Sequence, residues 1–396
     1  MNREDVWISS KEEWTDFSSY LEEIGVTGTT GGEDDDGWHI ILAGSYRAHV
    51  SPEALPKKAP AQPKVGKYDP LIFGKDGTEN VVNITVDNDE VFIYFADGTF
   101  IRKEYYNWAV GANWDEGCAR LKGHQYFKYI KDLPEDQFYN LKDNWNPRIW
   151  TPRTASEGFM LRSGMTYYKG MKVKDVSLLS FDLEATSLDK DHPDAYVPLV
   201  STTFRDKQGN IKKRLFDVFD YESDEQMWVE LNLYVKELNP DVVLGHNILS
   251  YDLPYLDKHS CKLDGLAWGR DGSRIIFDQK ASRIRKDGSQ QYEFFNATLN
   301  GREIVDTFFL SLKYDIGRDF PSYGLKSIEK HLGLVTEDRS WDFKEWPVKR
   351  LIEAKKAGND KIWEEFRQYC QDDSDSPIKM FDIMIPSFFY LCQSVP

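Results

Sequence analysis

Apolar positions change their spacing several times along the chain, and each change marks a different kind of element. "SSKEEWTDFSSYLEEIGV" (9–26) opens on a serine cap candidate and then carries apolar residues at helical spacing, which predicts a helix. "TGTTGGEDDDG" (27–37) reads as a turn-rich loop, and "WHIILAGSYRAHV" (38–50) as a strand. "SPEALPKKAPAQPKVGKY" (51–68) is dense in Pro, Lys and Ala and reads as an extended linker. From about residue 70 alternation takes over. "NVVNITVDNDEVFIYFADGTFIRKEYYNW" holds two or three strands divided by N-D and D-G turn signals, as in a hairpin or meander. "DEGCARLKGHQYFKYIKDL" and "PEDQFYNLKDNW" read as helical or mixed. A small α+β domain ending near residue 172 is the expectation.

After "MKVKDVSLLSFDLEAT" strands alternate with helices. "AYVPLVSTTFRD" and "IKKRLFDVFD", joined by "KQGN", predict a hairpin. "SDEQMWVELNLYVKELNP" has a capping start, acids in its first turn and a Pro stop, all helix signals. "DVVLGHN" reads as a buried strand and "SYDLPYLDKHSCKL" as a helix; "SRIIFDQKASRIRKDGSQQYEFFNATL" is β-rich, with a turn at Asp287–Gly288. "GREIVDTFFLSLKY", "SYGLKSIEKHLGL" and the C-terminal run from "NDKIWEEF" onward read mostly as helix. No internal repeat is visible. This order predicts a mixed α/β layer architecture and four segments: an N-terminal segment (1–50), a Pro/Lys-rich linker (51–69), an α+β domain (70–172) and an α/β domain (173–396).

Composition changes the picture little. A chain of 396 residues is long enough for two or three cores, and 12 Trp, 21 Tyr and 23 Phe argue against general disorder. No stretch approaches the roughly 20 apolar residues of a membrane span, and the opening "MNREDVWISSKEEW" lacks a signal-peptide core, so an intracellular, cytoplasmic protein is expected. Cys118, Cys261, Cys370 and Cys392 are scattered like reduced thiols, with no zinc spacing. The formal charge of −16 gives no support to coating duplex nucleic acid by charge alone, but leaves room for an enzyme whose acids hold metal ions.

Chemistry enters with the acids. In "LLSFDLEATSLD", Asp182 and Glu184 stand two apart in a strand-like stretch, so they project on one side, among the apolar Leu179, Phe181 and Leu183. Two such carboxylates repel one another unless a proton or a cation compensates, and a hard divalent ion such as Mg²⁺ resolves the conflict. A solvated surface pair is the plainer alternative. In "VLGHNILSYDLPYL" (243–256), Asn247 and Asp252 follow a buried strand, where α/β folds place working groups; they also suit a helix cap and first turn. In "YCQDDSDSPIKMFD" (369–382), Tyr369 and Asp373 share a helix face, while Asp372 and Asp375 are expected in solvent.

Taken together, "FDLE", "NILSYD" and "YCQDD" resemble the three exonuclease motifs of family B DNA polymerases, and "GREIVDTFFL" and "SYGLKSIEKHLG" resemble segments between the second and third. The resemblance covers roughly 70–396 and is strongest from 178; His246 stands where an aromatic is commoner, and the third motif carries extra acids. It implies a ribonuclease H-like exonuclease domain with a mixed sheet flanked by helices, preceded by a smaller α+β N-terminal domain. It also implies a catalytic set of Asp182, Glu184, Asp252, Tyr369 and Asp373. Asp182, Glu184 and Asp373 would hold one ion of a Mg²⁺ (or Mn²⁺) pair. Asp182 would bridge to the second, with Asp252 assisting, so that one ion activates water and the other steadies the leaving 3′ oxygen. Tyr369, whose unperturbed pKa is near 10, would orient the nucleophile as a neutral phenol. The implied reaction is 3′–5′ hydrolysis of a terminal phosphodiester in proofreading.

The expected substrate is a single-stranded or frayed DNA 3′ end of a primer–template. Asn247, Tyr251, Phe320 and Tyr323 are candidate contacts, the aromatics as stacking surfaces. Arg283, Arg285 and Lys286 sit on a predicted hairpin which, in related polymerases, helps keep template and primer apart; a solvated basic turn is the alternative. The polymerase motifs of the family are not found, so the palm, fingers and thumb are expected in the rest of a longer chain or in a separate partner chain. Two other readings stay open: a non-catalytic structural or RNA-binding module, and an RNA-trimming exonuclease.

Overall fold

The computed structural model describes residues 4–24, 26, 29–33, 38–43, 46–51, 54, 74–87, 89–112, 119–121, 124–143, 149–260, 266–285, 291–335 and 341–395. The chain divides into two compact units, Met1–Tyr68 and Asp69–Pro396. Most of the predicted linker 51–69, Lys286, Asp287–Gly288, Cys118 and Cys261 lie outside the described residues.

In the first unit, the helix Lys11–Glu23 starts on a reciprocal cap: the Ser10 hydroxyl accepts from the Glu13 N–H, and the Glu13 carboxylate accepts from the Ser10 N–H. Four strands pair in the order Glu4–Ile8, Tyr46–Val50, His39–Ala43, Thr29–Glu33, the first two parallel. The sequence pattern had no strand before the helix, one strand where two lie, and a loop over residues that form Thr29–Glu33. Ile8, Ile41, Ala48 and Val50 make the buried core.

The second unit holds the predicted meander as Val81–Asp87, Glu90–Phe95 and Phe100–Glu104. Next to it in sequence, Asn107–Ala112 pairs antiparallel with His124–Leu133. That stretch had read as helical or mixed, because "QYFKYI" places apolar residues at both helical and alternating spacings.

The main sheet has five strands in the order Ile211–Asp217, Leu199–Arg205, Leu178–Glu184, Val242–Gly245, Glu303–Asp306. The first three are antiparallel neighbours, and the last two run parallel to the central strand, Leu178–Glu184. The strand Glu303–Asp306 completes the edge just before the helix Thr307–Tyr314, in a segment the sequence pattern assigned mostly to helix. On one side lies the core of Phe181, Leu231, Val235, Ile248 and Leu253, with the helix Asp224–Leu238 capped by Ser223 and ended by Asn239 in the left-handed region. This is a mixed α/β layer with helices flanking a mixed sheet, as the resemblance implied. No described helix is long and apolar enough to cross a membrane.

The 25-residue helix Asp360–Met384 packs on the central strands. It docks through polar groups: Ser201 Oγ donates to the Cys370 carbonyl (2.7 Å), and Gln371 Nε2 donates to Thr202 O (3.2 Å) and Thr203 Oγ1 (3.0 Å). Asp375, expected in solvent, instead accepts from Thr203 Oγ1 and pairs with Lys213. Pro377 lies inside this helix and has no N–H to return to the Asp373 carbonyl.

Candidate active site

Three elements bring the motif acids together. The central strand ends by alternating: Leu179, Phe181 and Leu183 are wholly buried, and Asp182 and Glu184 are partly buried on its opposite side. Beyond the next strand, Gly245 lets the backbone pass closely. A Cβ there would meet Ile248 Cγ2 at 2.4 Å and Phe181 O at 2.7 Å. Asn247 then turns the chain with φ 66°, in the left-handed region where Asn is tolerated. Asp306 fixes this turn by accepting from Asn247 N (2.8 Å) and Leu249 N (3.0 Å). The helix Asp252–His259 follows, and Asp252, only 3% exposed, accepts from the Leu183 N–H at 3.2 Å. That bond ties the second motif directly to the strand carrying the first.

The third motif comes from Asp360–Met384. Cys370 Sγ lies 3.7 Å from Glu184 Oε1, which places this helix against the strand acids. Asp373 is buried and forms an ion pair with Lys326, whose ammonium also sits 4.6 Å from the centre of the Tyr369 ring. Tyr369 and Asp373 thus share a helix face, with Lys326 bridging them. Lys326, in the helix Leu325–His331, was missed from the sequence, where it reads as one more solvated lysine. Its only signal was its place in "SYGLKSIEK", a segment already marked by the resemblance.

The electrostatics are those of a site short of positive charge. Burial pushes the Asp182 carboxyl up to about 7, opposed by Lys326. Burial raises Glu184 well above the ordinary range, with repulsion from Asp182 and Asp252 adding to it. Asp252 is likewise raised by burial and then by Asp182, against the hydrogen bond from Leu183. Among the described residues no three carboxylate, imidazole or thiol groups converge closely enough to hold an ion as they stand. The donor set nonetheless suits a hard divalent cation: all oxygen, at least partly buried, and mutually repelling.

The expected substrate contacts fall out unevenly. A groove of about 470 Å³ is lined by His246, Asn247, Ser250, Tyr292, Phe308 and Tyr323, among others. Tyr251 donates its hydroxyl to Ser187 O at 3.2 Å, so its ring edges the loop after the central strand. Tyr323 is 6% exposed and donates to Asp315, and Phe320 is 7% exposed, packed with Leu310, Ile328 and Met380. The Phe320 ring is therefore core, with no open face for a base. Burial holds His246 near 4, so it is neutral, and its ring nitrogens meet Thr307 Oγ1 and Tyr323 O. Arg283 and Arg285 lie on the expected hairpin, Ser282–Arg285 against Gln291–Phe294, but Arg283 is paired with Glu293 (3.0 Å) and Arg285 donates to Gln291.

Residues 163–328 match the exonuclease domain of DNA polymerase family B. The match contains Asp182, Glu184, Asp252 and Lys326, whereas Tyr369 and Asp373 lie beyond it. The DNA polymerase delta catalytic subunit of Glycine max is 26% identical over 184 residues, covering 44% of this chain and 15% of that protein. The corresponding Drosophila melanogaster subunit is 22% identical over 242 residues, covering 56% of this chain and 21% of that protein. The chain thus spans well under a quarter of the length of these relatives. Among solved structures, the family B DNA polymerase from the hyperthermophilic archaeon Pyrobaculum calidifontis superposes with a TM-score of 0.54 at 16% identity, covering 78% of this chain and 46% of that one. The fold is shared.

Proposed function

We propose that this chain, whose residues 163–328 match the exonuclease domain of DNA polymerase family B, is a proofreading 3′–5′ DNA exonuclease. It would release nucleotides from a single-stranded or frayed 3′ end and work with a polymerase part (palm, fingers and thumb) in the same or a separate chain. The observation that carries the reading is the meeting of Asp182, Glu184 and Asp252, their carboxyls all raised by burial, with the helix face of Tyr369 and Asp373. A module that only binds or supports has no use for so costly an arrangement.

Asp182, Glu184, Asp252 and Asp373 would hold two Mg²⁺ or Mn²⁺ ions, which supply neutralising charge and a water of lowered pKa when bound. The chain's own residues do the rest. The strand and the two helices fix the acids relative to one another. Tyr369, on the helix face of Asp373, would position a water through its hydroxyl. Lys326 balances the charge of Asp373 and lies against the Tyr369 ring, which holds the two side chains together on the helix face. The acids are at least partly buried, which weakens solvent screening and strengthens the charge interactions among them.

The test uses a 5′-labelled primer, single-stranded or with a mismatched 3′ end, incubated with Mg²⁺, Mn²⁺ or EDTA. The expected result is a ladder shortening from the 3′ end, abolished by EDTA and by the double substitution Asp182→Ala, Glu184→Ala. A folded protein that leaves the primer intact with both metals overturns the proposal. Running the same assay on an RNA primer separates this reading from RNA trimming.

A further inference from the structure

We infer that Phe343, backed by Trp341, is the stacking platform for the nucleobase at the 3′ end, an assignment that rests on the exonuclease reading. The segment 341–347 is a braced turn. Trp341 donates its indole N–H to Trp346 O at 3.1 Å, and Asp342 Oδ1 accepts from Lys344 N and Glu345 N. This holds Phe343 out with its ring 41% exposed. A lone exposed apolar side chain is ordinary, but this ring continues a wall that ends at the candidate site. Trp341 lies 5.1 Å from the wholly buried Phe366 and 5.9 Å from Tyr369, and Phe343 meets Tyr369 edge-on at 6.0 Å, with 76° between the rings.

Tyr369 in turn carries the Lys326 ammonium 4.6 Å from its ring centre, with the Asp373 ion pair beside it. Phe343 is therefore an open aromatic surface one ring away from the side chain that would face the reacting phosphate. The aromatics expected to stack from the sequence do not offer that surface. Phe320 is core, Tyr323 is 6% exposed, and the half-buried Tyr251 ring packs on Tyr255 (5.2 Å) and the core, with its hydroxyl on Ser187 O. A bare aromatic face accepts any of the four bases, as proofreading needs, because each has a π-face.

The experiment uses the full chain in EDTA with a single-stranded oligonucleotide whose 3′-terminal base is 2-aminopurine, fluorescent when free and quenched when stacked. The unaltered protein is expected to quench it. Phe343→Leu, which keeps an apolar side chain against Tyr369 but removes the π-face, is expected to lose the quenching and weaken binding by about 5- to 150-fold. Phe343→Trp is expected to restore both. With Mg²⁺ present, KM rises in the Leu variant by a similar factor while kcat moves far less. Thermal melting of both variants checks that they fold. Should the unaltered protein trim DNA while Phe343→Leu quenches and binds as it does, this assignment is overturned and the exonuclease reading stands. Should the unaltered protein neither trim nor bind the oligonucleotide, both are overturned.

Discussion

Glu303 should make the stability of this protein fall as pH rises through the weakly acid range. It begins the edge strand Glu303–Asp306, and its carboxylate accepts from Asn83 Nδ2 at 2.7 Å. Asn83, 6% exposed on the meander strand Val81–Asp87, also donates to Arg302 O (3.3 Å) and accepts from Gly301 N (2.9 Å). This one amide joins the meander to the sheet. Burial pushes the Glu303 carboxyl from 4.5 up to about 6, and the Asn83 hydrogen bond only partly offsets it. A carboxyl raised in the folded state stabilises the fold fully below its unfolded pKa and loses that stabilisation as pH rises through the folded one. A rise of that size corresponds to about 2 kcal/mol at most, lost between roughly pH 4.5 and 7. Glu303→Gln keeps an acceptor for Asn83 and removes the titration. Urea unfolding of both proteins across pH 4.5–7.5 should show the variant gaining on the unaltered protein by up to about 2 kcal/mol as pH increases. Any cost of placing the extra amide N–H₂ there does not depend on pH and cancels from this trend. A stability difference that stays flat across the range refutes the argument.

Two further outcomes are expected. Lys326→Met removes the ammonium beside Asp373 and Tyr369, and should lower the trimming rate by roughly 10²-fold, the scale for losing one preorganised charge at a reaction centre, with the far-ultraviolet circular dichroism unchanged. Asp241 is fully buried, accepts from Ser177 N (2.8 Å) and pairs with Arg270 (2.6 Å) and Lys207 (2.9 Å). Asp241→Asn leaves both cations uncompensated and should cost about 3–5 kcal/mol in urea unfolding; a loss below about 1 kcal/mol contradicts this.

Much of the candidate site could be read along the chain because local pattern and chemistry disagreed there. Asp182 and Glu184 interrupt an apolar run whose period gives their common side, and Tyr369 and Asp373 sit four apart in an unbroken helical pattern. The hairpin Leu199–Arg205 with Ile211–Asp217 was equally legible, since alternation and the turn residues agree. What stayed hidden depends on distant contacts. Lys326 has meaning only beside Asp373, 47 residues away. Ser201 and Thr203 read as ordinary strand residues until the helix is laid across them. Phe320, expected as a stacking surface, lies in the core because composition says nothing about which aromatic faces inward. The edge strand Glu303–Asp306 was lost for a simpler reason: four residues leading into a helix are too short for periodicity to separate the two.

The division of the acids among three elements also sets when in the chain's synthesis the site can exist. Asp182 and Asp252 emerge from the ribosome well before Asp373, which follows Asp182 by nearly half of the chain. At roughly 5–20 residues per second, the strand and its partner helix wait on the order of ten seconds or more for the helix Asp360–Met384. Throughout that interval Glu184 lacks Cys370, and Lys326, once made, lacks Asp373, so a growing chain with a formed central sheet still holds only part of the candidate site. The candidate site is thereby completed only once the helix Asp360–Met384 has docked.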